Sequence, residues 1–143
     1  MNIEIATDAT DELVEALDRL IPQLSSSAEA MSTTLVGRVL SDPAITLFVA
    51  HDGGTIVGTL TLAIFEIPTG LRAWIEDVVV DSSVRGLGVG EALTLAALEV
   101  ARTRGAKSVD LTSRPSREAA NRLYQRVGFA PRETNVYRYS FES

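Results

Sequence analysis

The 143-residue chain has no cysteine. A disulfide framework, a thiolate metal site and a cysteine nucleophile are therefore excluded. It has one histidine, His51, which adjoins the turn Asp52-Gly53-Gly54 and reads as a surface residue. Long apolar runs are missing as well: each is broken by charge or glycine, so no segment is expected to span a bilayer. Met1-Asn2-Ile3-Glu4 lacks a basic n-region and an apolar h-region, so no signal peptide is expected and a cytoplasmic location is the plain expectation. Basic charge is also short, with 13 Lys and Arg against 19 Asp and Glu for a net charge of −6. Binding nucleic acid by phosphate neutralisation needs a basic face and is not expected. The acidic balance would suit steering of a cationic substrate such as an amine, or simply solubility. There are no internal repeats, low-complexity stretches or linkers, and the length fits one domain, residues 1–143.

What is present reads as alternating periods. Asn2 to Ala6 alternates as a strand. Asp8 or Thr10 can cap a helix running to about Ile21, with Leu13, Val14, Leu17, Leu20 and Ile21 on its apolar face and Pro22 as its stop. A second helix is expected from about Ala28 to Leu40. Three strands follow, Thr46–His51, Thr55–Phe65 and Leu71–Asp81, joined by Asp52-Gly53-Gly54 and Pro68-Thr69-Gly70, which implies an antiparallel meander. Then come a helix from about Glu91 to Arg104, a strand over Ser108–Thr112, a helix over Arg117–Val127 ending at Gly128, and a final strand over Val136–Phe141. The expected class is α/β (α+β), a mixed and mostly antiparallel sheet flanked by about four helices.

The stretch Trp74 to Glu91 carries the chemistry. A β-branched run, Val78-Val79-Val80, passes through a polar turn into Gly86, Gly88 and Gly90, and a helical pattern begins at once. Strand, glycine loop and helix start together present backbone N–H groups and a helix dipole to an anion such as phosphate. A nucleoside-triphosphate loop needs a lysine after its last glycine, but Glu91 stands there. The dinucleotide fingerprint needs a small residue at that same place and a strand that opens a βαβ unit, whereas this strand ends a meander. Glycines serving only a tight strand-to-helix turn remain the plain alternative.

The segment Val78-Val79-Val80, then Arg85-x-x-Gly88-x-Gly90, then a helix, resembles the acyl-CoA-binding segment of the GNAT superfamily, the GCN5-related N-acetyltransferases. Asn121-Arg122-Leu123-Tyr124-Gln125-Arg126-Val127-Gly128-Phe129 is similar to that family's closing motif. The resemblance implies a sheet splayed at the acyl-CoA-binding strand and acetyl-CoA as donor, with no metal. It implies that Val78, Val79 and Val80 supply backbone contacts to the acyl arm, and that Arg85, Gly86, Leu87, Gly88, Val89, Gly90 and Glu91 form the pyrophosphate cradle. Tyr124 then falls where the family places the acid that protonates the departing sulfur, its alternative being a core aromatic. Glu76 falls two residues before Val78, as general base or as a solvated strand carboxylate. Alternation would put Trp74, Glu76, Val78 and Val80 on one face and Asp77 on the other. Glu66 is a weaker base candidate, and in several relatives the base lies where this chain has Trp74. Arg117 replaces an Asn common in the family, so Arg117, Arg114 and Ser113 would engage coenzyme phosphates or substrate, or form surface ion pairs. The resemblance implies direct transfer to a primary amine of a small molecule or peptide. The acceptor would lie between the two N-terminal helices, the Ile67–Gly70 turn and the segment after Phe129. The alternative function is a non-catalytic acyl-CoA-binding sensor. The family often dimerises, and the final strand is the edge expected for pairing into a homodimer.

Overall fold

The computed structural model describes residues 1–141, whose contacts divide the chain into two compact units, Met1–Thr112 and Ser113–Ser143. The first contains β1 (Asn2–Ile5), α1 (Asp11–Leu20) extended by a 3₁₀ turn (Ile21–Gln23), α2 (Thr33–Ser41), β2 (Ile45–Asp52), β3 (Thr55–Ile67), β4 (Gly70–Val80), a second 3₁₀ turn (Ser82–Val84), α3 (Val89–Thr103) and β5 (Val109–Asp110). The second contains α4 (Glu118–Val127). The sheet order is β1-β2-β3-β4-β5, antiparallel throughout except for the parallel β4–β5 pair. This is the mixed, mostly antiparallel sheet with flanking helices that the periodicity predicts.

Local chemistry explains the boundaries. The Thr10 hydroxyl accepts from the Leu13 amide at 3.2 Å and starts α1, whose Leu13, Ala16, Leu17 and Leu20 recur at helical spacing and are buried. Ser32 does the same for Leu35 at 3.1 Å, so α2 starts at Thr33 and not at Ala28. Ala28 to Ala30 favour helix individually, but the cap that satisfies the first amides lies later. Similarly α3 starts at Val89, two residues before the expected Glu91, which puts Gly90 inside its first turn.

The two faces of the sheet carry separate cores. On one, Leu13, Leu17 and Leu20 of α1 meet Val36, Leu47, Val49 and Val79. Truncating a fully buried leucine such as Leu20 to alanine costs about 2–5 kcal/mol. On the other, Leu93, Ala97 and Ala101 of α3 are fully buried. Gly58 is what lets α3 come this close: a Cβ there would stand 3.0 Å from Val89 Cγ1 and 3.1 Å from Leu93 Cδ1. The start of α3, and with it the glycine loop, is thereby seated near the beginning of β3.

In the second unit α4 ends at Gly128, whose amide donates to the carbonyls of Tyr124 and Gln125, both at 3.1 Å. The final strand expected over Val136–Phe141 is not formed. Among the described residues, the segment after Gly128 contains no strand, and Tyr137 and Phe141 are 88% and 95% exposed. Alternation alone does not make a strand without a ladder of partner amides, and the expected pairing edge is not formed. No helix among the described residues is long and apolar enough to cross a membrane.

Candidate active site

The site begins with a fault in the β3–β4 ladder. Thr61 pairs with Glu76 and Thr59 with Val79, so Leu60 alone faces both Asp77 and Val78. One extra residue on β4 is a β-bulge, which bends the strand and reverses the facing of everything beyond it. Asp77 takes the left-handed conformation this requires, with φ +49°, and is the one non-glycine residue with positive φ among those described. Asp and Asn are the side chains that tolerate that region best after glycine.

The bulge corrects the simple alternation. Trp74 and Glu76 do share a face, and the Trp74 indole Nε1 donates to Glu76 Oε1 at 2.8 Å. Beyond the bulge it is Val79, paired with Thr59, that turns into the α1–α2 core, whereas Val80 pairs with Gly58 on the α3 side. Asp77, expected on the opposite face, lines the same cleft as Thr61.

On its other edge β4 pairs with β5 only at Ala73–Val109 and Trp74–Asp110. From Ile75 to Val80 no strand accompanies that edge among the described residues. The splay expected at Val78–Val80 is therefore present, and it leaves main-chain groups of this segment without a ladder.

The loop after β4 is built from its own backbone. Asp81 Oδ1 accepts from both the amide and the hydroxyl of Ser83 at 3.1 Å, and Arg19 Nε lies 3.5 Å from Asp81 Oδ2. The Ser83 backbone hydrogen bond chiefly holds the Asp81 carboxyl below its ordinary pKa; desolvation opposes it, and the Ser83 hydroxyl and Arg19 add to the lowering. Gln23 Oε1 accepts from the Ser82 amide at 3.1 Å, tying the loop to the end of α1. Arg85 Nε donates to the Val80 carbonyl at 3.4 Å. Gly86 and Gly88 then adopt φ +84° and +83°, and a Cβ at either would meet nothing within 4 Å. Glycine is required there for backbone conformation, and the space above it is open. Gly88 is the N-cap of α3, and no side chain caps that end. A bare, left-handed glycine turn leading into an uncapped helix start fits a phosphate-bearing ligand such as the coenzyme A pyrophosphate.

Beside the bulge lies a two-lobed cleft. The inner lobe, about 230 Å³, is walled mainly by Leu17, Ile21, Met31, Leu35 and Val36. The outer lobe, about 420 Å³, adds Arg38, Asp42 and Ile45. Leu35, Val39, Thr61 and Asp77 belong to both. The Asp77 carboxyl is reachable from solvent yet partly enclosed, and its pKa is raised, first by desolvation and then by the Glu76 charge. Among the described residues it makes no hydrogen bond or ion pair with another side chain. Sequence reasoning set Asp77 aside on parity. The signal that could have found it was its residue type, one of the few that accept a left-handed bulge position.

In the second unit, the Tyr124 ring packs edge-on against Phe129 with centroids 5.8 Å apart. Burial raises the Tyr124 pKa and Arg117 pulls it partly back. The phenol is thus protonated at neutral pH, as a proton donor must be. Asn121 Nδ2 donates to the carbonyls of Arg114 and Arg117, both at 2.9 Å, which fixes the turn entering α4. Two weaker candidates fall elsewhere: His51 Nε2 stands 3.3 Å from Glu4 Oε2 at the β1–β2 pair, and Glu66 lines neither lobe. Among the described residues no group of three or more His, Asp or Glu side chains is arranged to hold a metal ion.

Known proteins resemble this chain in sequence and in fold. The model of the acetyltransferase (GNAT) family matches residues 10–129, spanning both units. N-alpha-acetyltransferase 30 of Schizosaccharomyces pombe is 34% identical over 94 residues, covering 64% of this chain and 61% of that protein. Glucosamine 6-phosphate N-acetyltransferase of Trypanosoma brucei brucei is 39% identical over 93 residues, covering 63% and 61%. The matched region thus spans about three fifths of these relatives. Among solved structures, a putative acetyltransferase from Agrobacterium tumefaciens str. C58 superposes with a TM-score of 0.87 at 26% identity, covering 98% of this chain and all of that one. The chain belongs to the GNAT acetyltransferase family.

Proposed function

We propose that residues 1–143 form a single acetyl-CoA-dependent N-acetyltransferase domain that transfers the acetyl group directly to a primary amine, in the cytoplasm. The observation that carries this reading is the left-handed Gly86–Gly88 turn running into the uncapped start of α3, behind a bulged β4 whose far edge is unpaired. Family membership supports the same donor, and the named relatives support an amine acceptor.

In this reading Arg85 to Glu91 hold the pyrophosphate through backbone amides and the α3 dipole. Val78, Val79 and Val80 offer main-chain groups to the acyl arm, and an amide near Val78 donates to the carbonyl oxygen as negative charge develops on it. Arg117 is assigned to the coenzyme phosphates because a guanidinium suits phosphate oxygens. The neutral amine nitrogen forms its bond to the carbonyl carbon, the carbon–sulfur bond breaks, and the Tyr124 phenol protonates the departing thiolate. Glu76, steadied by the Trp74 indole, receives the proton that the amine gives up. With no cysteine in the chain, a thioester on the protein plays no part.

The test is to mix the protein with acetyl-CoA and a panel of primary amines and follow free thiol. Amine-dependent thiol release, with acetylated amine recovered in equal amount, is expected. Tight acetyl-CoA binding without release across a broad panel would instead identify a binding module.

A further inference from the structure

We propose that the acceptor is a primary amine carried on an apolar group, with its ammonium held by the Asp77 carboxylate and its apolar part seated in the cleft between α1, α2 and the sheet. This rests on the acetyltransferase reading and adds the chemical class of the second substrate.

Three observations converge on Asp77. It occupies the left-handed position of the bulge, which glycine and asparagine tolerate as well as aspartate does, so backbone conformation alone does not select a carboxylate there. Its carboxyl makes no hydrogen bond or ion pair with another side chain among the described residues. It is also one of four residues common to both lobes of the cleft, at the seam between an apolar interior and a more polar mouth. The other charged groups around it are Glu76, next to it on β4, and Arg38 and Asp42 across the outer lobe. A cationic ligand would restore to the carboxylate the stabilisation that partial desolvation and Glu76 remove. Recognition of this kind needs Asp77 ionised and the amine protonated, and the bound ammonium releases one proton to solvent before the neutral nitrogen attacks. Affinity should therefore fall as pH drops through the raised Asp77 pKa, and again as pH rises through that of the amine.

The inner lobe sets the rest of the ligand. Its walls are Leu17, Ile21, Met31, Leu35 and Val36. Of its hydroxyls, that of Thr59 already donates to the Phe48 carbonyl at 3.0 Å, which leaves Thr61. A polyhydroxylated amine would lose water from several hydroxyls with few partners to replace it, and that is costly. A cavity of about 150 Å³ lined by apolar side chains stays dry and admits benzene. At about 230 Å³ this lobe can take an aromatic ring or a branched alkyl group.

The test uses the full chain saturated with coenzyme A, titrated by calorimetry with 2-phenylethylamine, with its neutral isostere 2-phenylethanol and with glucosamine. The amine should bind at least about tenfold tighter than the alcohol, as a charge-assisted contact implies. Asp77→Asn keeps the shape and the tolerance for positive φ while removing the charge, and should erase that preference. Val39→Phe, which fills the seam between the lobes, should weaken 2-phenylethylamine while leaving coenzyme affinity unchanged. In turnover, kcat/KM for 2-phenylethylamine should exceed that for glucosamine. Equal binding of amine and alcohol, a preference that survives in Asp77→Asn, or a preference for glucosamine would overturn the proposal. Failure of the wild-type protein to bind coenzyme A would instead sink the acetyltransferase reading, and the amine–alcohol contrast measured without coenzyme would still decide the cleft.

Discussion

Asp77 and Asp81 stand four residues apart on either side of the end of β4, and their environments are opposite. The Asp81 carboxyl is committed to its own loop, accepting from Ser83 twice and facing Arg19, and its pKa is lowered. The Asp77 carboxyl sits on a bulge at the seam of a cleft, has no side-chain partner among the described residues, and its pKa is raised. The first carboxylate is scaffolding: it shapes the turn that delivers the backbone to Gly86 and Gly88. The second is available to a ligand. Electrostatic environment thus distinguishes two carboxylates that sequence position does not.

The loop that Asp81 shapes gives the largest expected effect. Gly88→Glu places a side chain and a negative charge over the helix start, and acetyl-CoA affinity measured by calorimetry should fall by more than about a hundredfold. The left-handed conformation adds about 1–2 kcal/mol of strain, so the variant should still fold. Tyr124→Phe comes next. It should lower kcat by about a hundredfold with coenzyme affinity unchanged, as loss of a proton donor does. Parallel changes in kcat and affinity would argue for packing against Phe129 as its role.

The two aspartates should then separate by the sign of their pH dependence. Asp81 has a depressed pKa in the folded state, so its contribution is present above the unfolded carboxylate pKa and is lost as pH falls through the folded value. Asp81→Ala should cost about 0.5–2 kcal/mol near pH 7, as removal of a capping side chain does, and less in acid. Asp77 has a raised pKa, so the stability linked to its protonated form is present below the unfolded pKa and is lost as pH rises through the folded value. Asp77→Asn, which cannot ionise, should therefore raise the melting temperature slightly at pH 7, with the gain vanishing as pH drops. Thermal melts across pH 3–8 check both. Slopes of the same sign would erase the distinction.

Local features of this site were legible in the sequence and non-local ones were not. The glycine loop, the Thr10 cap, the α1 stripe and the Asp52-Gly53-Gly54 hairpin depend on residues a few positions apart, and each lies where spacing puts it. The reversal beyond Glu76 depends on one extra residue in β4 measured against β3, which strict alternation cannot register. It moved Val79 into the core and brought Asp77 to the cleft. The segment Val136–Phe141 has strand-like alternation yet forms no strand, so its pattern alone did not decide its structure.

The central claim is that the backbone from Val78 to Glu91 holds the acyl donor. Amide hydrogen exchange measured with and without acetyl-CoA tests it most directly. Protection concentrated at Val78–Val80 and Gly86–Glu91, and absent in Gly88→Glu, is the expected result. Unchanged exchange in that stretch under saturating acetyl-CoA, or protection confined to another part of the chain, would contradict it.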